Sequence, residues 1–162
     1  MKIPVVLNGE DTVFEAEPEE RLLVVLRRLG LHSAKKGCGK GRCGFCAVLL
    51  DEKPVPSCIV PVGIVRDSAI VTLEHFAKSE SYQDIISGFE QAGVRMCGYC
   101  NAAKIFGVHD LIERTYRPST EELQEAADSL TCSCTDRNTF MNGILYAVAN
   151  RHRRLKEKNQ HG

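Results

Sequence analysis

With 162 residues, 43% of them hydrophobic and 26% charged, the chain has the composition of an ordinary globular protein and room for one compact domain or two small ones. Its 21 basic and 21 acidic residues cancel, which removes any general pull toward nucleic acid or an anionic membrane surface. No stretch approaches the roughly 18 apolar residues of a membrane helix. The opening apolar run, Ile3-Pro4-Val5-Val6-Leu7, lacks the small-residue cleavage site of a signal peptide, so a cytoplasmic, reducing setting is expected. In that setting eight cysteines read as metal ligands before they read as disulfides.

Taken in order, Ile3-Pro4-Val5-Val6-Leu7, the turn Asn8-Gly9-Glu10-Asp11 and Thr12-Val13-Phe14-Glu15-Ala16 predict a β-hairpin. Pro18 and Glu19-Glu20 open a helix whose Leu22, Val25, Leu26 and Leu29 form one apolar stripe, ended by Gly30. After a glycine-rich loop, Ala47–Leu50 and residues 55–58 predict a second hairpin around Asp51-Glu52-Lys53, and residues 69–73 a last strand. Beyond His75-Phe76 only helical periodicity remains. Tyr82, Ile85, Ile86 and Phe89 mark one helix; Ile105, Val108, Leu111 and Ile112 a second; Leu123, Ala126, Ala127 and Leu130 a third; Met141, Ile144, Leu145 and Val148 a fourth. Ser119 with Glu122 forms a capping-box start for the third. The basic residues Arg151, Arg153, Arg154, Lys156 and Lys158 predict a solvated, fraying helix end. The fold class expected is therefore α+β, with an α+β unit over 1–77 and a four-helix unit over 78–162.

Two cysteine groups carry the chemistry. Cys38, Cys43 and Cys46 are spaced C-x4-C-x2-C, with Cys58 twelve residues on, the plant-type ferredoxin spacing for a [2Fe-2S] cluster. Three thiolates on one loop need a tightly bent backbone, which Gly37, Gly39, Gly41 and Gly44 permit, while Lys35, Lys36, Lys40 and Arg42 place positive charge near an anionic centre. The same loop contains G-x-G-x-x-G, but it follows a helix and precedes a strand, the reverse of the dinucleotide-binding context. Zinc is the competing metal, although its usual paired knuckles are missing from this group.

The second group is Cys97-Gly98-Tyr99-Cys100 with Cys132-Ser133-Cys134. Alone, the first pair resembles a dithiol oxidoreductase motif, but a helix rather than a strand precedes it and the second pair is left over. Four thiolates in two pairs, each before a predicted helix, suit one metal centre facing helix N-termini. Zinc stays open as an alternative here too. The histidines at 32, 75, 109, 152 and 161 fit no ligand spacing and read as surface or packing residues, and no catalytic nucleophile or carboxylate pair is found.

The run Gly37-Cys38-Gly39-x-Gly41-x-Cys43-Gly44-x-Cys46, continuing into Val48-Leu49-Leu50-Asp51 and Ser57-Cys58, together with Cys97-Gly98-Tyr99-Cys100 and Cys132-x-Cys134-Thr135, resembles the small iron-sulfur subunit of the molybdenum hydroxylases. That family includes xanthine dehydrogenase, aldehyde oxidoreductase and carbon monoxide dehydrogenase. The resemblance implies a β-grasp ferredoxin-like domain followed by a four-helix bundle, each with one [2Fe-2S] cluster. It implies a large molybdopterin-binding subunit and an FAD-binding subunit as partners in a hetero-oligomer. Electrons would pass from molybdenum through the cluster of Cys97, Cys100, Cys132 and Cys134, then that of Cys38, Cys43, Cys46 and Cys58, to flavin or another acceptor. This oxidoreductase subunit would itself make no bonds. A free-standing two-cluster carrier and a zinc-binding interaction module are the alternatives. The chain departs from the family where glutamine usually precedes the first bundle cysteine (here Met96), where Thr-Pro-Gly usually follows the C-x-x-C (here Asn101-Ala102-Ala103), and where Cys-Arg-Cys-Thr-Gly-Tyr reads Cys132-Ser133-Cys134-Thr135-Asp136-Arg137.

Overall fold

The structure, a computed structural model, describes residues 1–161. Strands β1 (Lys2–Leu7) and β2 (Glu10–Glu15) pair antiparallel around a two-residue turn. Asn8 and Gly9 both sit at positive φ there, 53° and 84°, as a tight hairpin requires. Helix α1 (Leu22–Arg28) follows, then β3 (Ala47–Leu50), β4 (Lys53–Pro56) and β5 (Ala69–Val71). The sheet runs β2-β1-β5-β3-β4, with β1 and β5 parallel and the other neighbours antiparallel.

Some local expectations shift. The second hairpin turns on two residues, Asp51 and Glu52, both at positive φ. The Asp51 carboxylate accepts from the Ala69 amide at 2.8 Å and so braces that turn. Strand β4 therefore starts at Lys53, and Ser57 and Cys58, expected inside it, lie beyond its end. Helix α1 starts at Leu22 rather than near Pro18, because the carbonyls of Pro18 and Glu20 are engaged by the amides of Gly63 and Val62. Leu29 falls at its C-cap and is exposed, and Leu23 takes a core position instead.

The last expected strand stops at Val71 because Thr72 begins α2 (Leu73–Phe76). Then come α3 (Glu80–Ala92), α4 (Asn101–Arg114), α5 (Thr120–Asp128) and α6 (Arg137–His161). The capping box at α5 forms in both directions, Glu122 amide to Ser119 Oγ at 3.2 Å and Ser119 amide to the Glu122 carboxylate at 2.8 Å. The basic tail does not fray: α6 continues through it to His161. Arg154 binds the buried Asp84 of α3 at 2.8 Å, Lys158 pairs with Glu80, and Arg151 with Glu113. Apolar periodicity ends at Val148, and charge pairing across α3 carries the helix further. Leu145 is exposed, and Phe140 and Ala147 fill the core with Ile144 and Val148. Among the described residues no helix is long and apolar enough to cross a membrane.

Strand β3 joins the two halves. Val48 points into a core built with Ile3, Phe14, Leu22, Leu26 and Ile70. Its neighbours Ala47 and Leu49, on the opposite face, belong to the helical core with Phe76, Ile105, Phe106 and Leu111. Period-two alternation thus buries both faces of one strand. At roughly 1.5–3 kcal/mol per large apolar side chain, this shared burial is a substantial adhesive between sheet and helices.

Helices α3 and α6 approach backbone to backbone. A Cβ on Gly88 would lie 2.5 Å from the Ala147 amide nitrogen and 2.8 Å from its Cα. Gly88→Ala is expected to destabilise by about 1–3 kcal/mol through overpacking. Gly107→Ala, in open space on α4, should stabilise by about 0.5–1 kcal/mol. Thermal unfolding of the two variants measures the contrast, and equal effects would contradict this helix crossing.

Candidate metal centres

The first cysteine group lies on the loop between α1 and β3 and at the end of β4. Burial graduates across it: Cys38 is exposed, while Cys43, Cys46 and Cys58 are buried. Amides converge on the sulfurs. Cys38 Sγ accepts from the amides of Lys40, Arg42 and Cys43 at 3.2–3.4 Å. Cys43 Sγ accepts from the Cys38 amide, and Cys46 Sγ from the Cys58 amide, each at 3.4 Å. The thiols thus associate as Cys38 with Cys43 and Cys46 with Cys58. A Cβ on Gly37 would meet Cys43 Sγ at 2.6 Å, so only glycine lets the loop close this tightly. Ser57, fully buried, donates its hydroxyl to the Cys46 carbonyl at 2.6 Å and fixes the end of β4 that presents Cys58. Spacing gave Cys58 but no signal for this role of Ser57.

These contacts polarise the thiols. Backbone N–H groups of Cys43, Lys40 and Arg42 draw Cys38 down from 9.0 to about 6, and burial pushes Cys46 up to about 11. Lys40 and Arg42 reach the sulfur through their amides, a contribution that counting their charges misses.

The second group is more compact. The Sγ atoms of Cys97, Cys100, Cys132 and Cys134 all lie within 4.8 Å of one another. Cys97 and Cys100 approach to 3.3 Å, and Cys97–Cys132 and Cys100–Cys134 to 3.5 Å. Cys100 immediately precedes α4, as expected, and the amides of Tyr99 and Cys100 donate to Cys97 Sγ at 3.4 and 3.3 Å. Those of Cys100 and Tyr99 hold Cys97 down at about 6, whereas burial raises Cys100 to about 12. The start of α6 behaves differently from expectation. Asp136 accepts the Thr139 amide at 2.9 Å and hydroxyl at 2.6 Å, so that helix end is capped by its own side chain rather than open to the sulfurs.

One participant was not legible as such. Lys104 of α4 is fully buried, and its ammonium donates to the Arg95 carbonyl at 2.6 Å and to Cys134 Sγ at 2.8 Å. Burial raises the Cys134 thiol, but hydrogen bonds led by Lys104 overcome it and leave the thiol below its ordinary value. In the sequence, Lys104 breaks the apolar face of α4, which is the one available signal.

The two groups touch. Tyr99, between Cys97 and Cys100, donates its hydroxyl to the Lys36 carbonyl at 2.6 Å and packs edge-on against Phe45, ring centroids 5.5 Å apart. Gly44, at φ 74°, faces Ala103 of α4 so closely that a Cβ there would stand 3.1 Å from the Ala103 Cβ. By contrast, the sites of departure from the resembled family have local roles. Met96 packs against the helical core, Asn101 accepts from the Gly98 amide at 3.1 Å, and Arg137 pairs with Asp128 at 2.8 Å. The histidines form no ligand set among the described residues, although His75 and His109 share a 680 Å³ cleft between sheet and helices, away from both cysteine groups.

All eight cysteines are outside disulfides. The second four are gathered within one ligand sphere and the first four stand as two pairs beside the Gly37 turn, and in both sets thiol sulfurs with N–H donors fit an iron-sulfur group. Four thiolates also suit zinc, so donor chemistry alone leaves both metals available.

Comparison with known proteins separates them. Residues 5–68 match the family model of the 2Fe-2S iron-sulfur cluster binding domain, and residues 72–145 that of the [2Fe-2S] binding domain. The chain is 36% identical to the nicotinate dehydrogenase small FeS subunit of Eubacterium barkeri, over 88% of this chain and 91% of that protein. It is 30% identical to the aldehyde oxidoreductase of Megalodesulfovibrio gigas over 90% of this chain, but spans 16% of that relative. Among solved structures, quinoline 2-oxidoreductase from Pseudomonas putida 86 superposes with a TM-score of 0.82 at 29% identity, covering 94% of this chain and 96% of the matched one.

In metal-free protein, Cys97 is expected to reach its full alkylation rate by about pH 7, since thiolate is the reactive form and its thiol titrates near 6. Mass-spectrometric rates across the pH range test this. A Cys97 rate still rising about tenfold per unit up to pH 8 would contradict it.

Proposed function

This chain belongs to the family of small [2Fe-2S] subunits of the molybdenum hydroxylases, and from that premise we propose how its own residues carry out electron transfer. Cys38, Cys43, Cys46 and Cys58 hold one [2Fe-2S] cluster, and Cys97, Cys100, Cys132 and Cys134 the other. Each cluster, when bound, supplies a one-electron carrier, so the two together make a relay from a molybdenum-pterin subunit to an FAD subunit or another acceptor. Residues 1–77 form a β-grasp ferredoxin-like domain and 78–162 a four-helix bundle, assembled with those partners as a hetero-oligomer in the cytoplasm.

The observation that carries this reading is the contact between the two cysteine loops through Tyr99, Lys36 and Phe45. A relay needs its stations adjacent and fixed. Tyr99 supplies a rigid link by placing one ring and one hydroxyl of the second loop on the first. Shared burial on both faces of β3 prevents the halves from drifting apart.

Within each loop backbone amides favour negative charge on the exposed sulfur, Cys38 in the first and Cys97 in the second. Amides at Lys40, Arg42, Cys43, Tyr99 and Cys100 donate without moving, because turns and the start of α4 hold them in place. Cys38 is exposed beside the buried Cys43, Cys46 and Cys58, and Cys97 is exposed beside the buried Cys100 and half-buried Cys132 and Cys134, so each site has a solvent-facing and an inner side. Hydrogen bonding and solvent access of this kind are what tune iron-sulfur potentials.

The purified chain should be red-brown and contain about four irons and four labile sulfides. Cys43→Ser and Cys134→Ser should each remove about half of the iron while leaving the other centre's spectrum. Stoichiometric zinc in a colourless protein would contradict the reading. Co-purification with molybdenum and flavin subunits separates an assembled subunit from a free-standing carrier, which would instead be isolated as a stable monomer with both clusters.

A further inference from the structure

Lys104 is a cation with nowhere to solvate. Its side chain has 0% exposure, and among the described residues no carboxylate pairs with it. A lysine is rarely buried without a partner that balances its charge. The ammonium has three donors and meets three acceptors: the Arg95 carbonyl at 2.6 Å, Cys134 Sγ at 2.8 Å and Thr135 Oγ1 at 3.3 Å. Thr135 is itself fixed, donating to the Arg95 carbonyl at 2.6 Å and accepting the Arg95 amide at 2.8 Å. Among the described residues, the charge available to balance Lys104 is that of the thiolate group. No side-chain ammonium is found in contact with Cys38, Cys43, Cys46 or Cys58 among the described residues, where the donors to sulfur are backbone amides.

We propose that Lys104 is a positioning and potential-setting residue for the second centre alone, raising its reduction potential above what the same four cysteines would give with an uncharged side chain at that place. The inference rests on the reading of Cys97, Cys100, Cys132 and Cys134 as iron-sulfur ligands. One electron arriving from a one-electron donor makes the centre one unit more negative, with no proton gained and no bond broken. A fixed ammonium hydrogen-bonded to a ligand sulfur in a low-dielectric setting stabilises that added charge. The electron therefore rests on this centre more readily, and leaves to the acceptor at the correspondingly higher potential.

The test is a dithionite redox titration of the holoprotein, followed by electron paramagnetic resonance, for wild type, Lys104→Met and Lys104→Arg. In Lys104→Met the reduced-to-oxidised ratio of one centre at fixed poise should fall about tenfold or more, equivalent to about 59 mV for a one-electron couple, while the other centre stays put. Lys104→Arg, which keeps the charge, should recover most of that loss. No shift, or an equal shift in both centres, would overturn the proposal. Should Lys104→Met fail to assemble its cluster, wild-type protein labelled with ¹⁵N at the lysine side-chain nitrogen gives the answer. Pulsed resonance of its reduced form should show a ¹⁵N coupling that Lys104→Arg alters, and its absence would overturn the proposal. A wild-type chain without two iron-sulfur centres would remove the underlying reading; two centres with unmoved potentials would remove this inference alone.

Discussion

The structure depends on β3 being buried on both faces. Val48 belongs to the core of the sheet and α1, while Ala47 and Leu49 belong to the core of the helices. Because the alternation along a strand is fixed at two residues, these attachments cannot slip independently. The strand begins one residue after Cys46, so the packing that joins the halves also positions the first cysteine loop. On the other side, α4 lies over β3 and starts one residue after Cys100. One packing interaction thus brings two loops that are distant in sequence into contact at Tyr99 and Gly44.

Around the sulfurs the two loops solve the same problem by different means. Anionic centres need donors that do not have to reorganise when charge arrives. The first loop supplies backbone amides, held by positive-φ glycines and by the Lys35 amide bonded to the Phe45 carbonyl at 2.9 Å. The second adds a buried ammonium to its amides. A hydrogen bond to a charged group is roughly twice as strong as a neutral one, so the loops are not electrostatically equivalent even though each offers four thiolates.

Most of the scaffold, and the convergence of Cys97, Cys100, Cys132 and Cys134, were legible because their signals are local. Asn8-Gly9 announces a hairpin turn, Ser119 and Glu122 a helix start, and cysteine spacing a metal loop. What could not be read depended on partners far away in the chain. The persistence of α6 beyond Val148 rests on Asp84 and Glu80, about seventy residues earlier, so its basic run looked like a fraying end. Leu29 and Leu145 carried the right period but fell on exposed arcs, since periodicity fixes a stripe only to within a residue or two. The role of Lys104 depends on Cys134 and Arg95 folding over α4, thirty and nine residues away, and so has no local signal beyond a break in that helix's apolar face. Asp136 occupies a place where the resembled family has glycine, and it caps α6 in return.

The central claim is that one chain holds two one-electron centres side by side. Stoichiometric anaerobic reduction monitored by electron paramagnetic resonance tests it most directly. The account predicts uptake of two electrons per chain and a fully reduced spectrum split by magnetic interaction between the centres, different from the sum of the two half-reduced spectra. Uptake of a single electron, or a fully reduced spectrum equal to that sum, would contradict it.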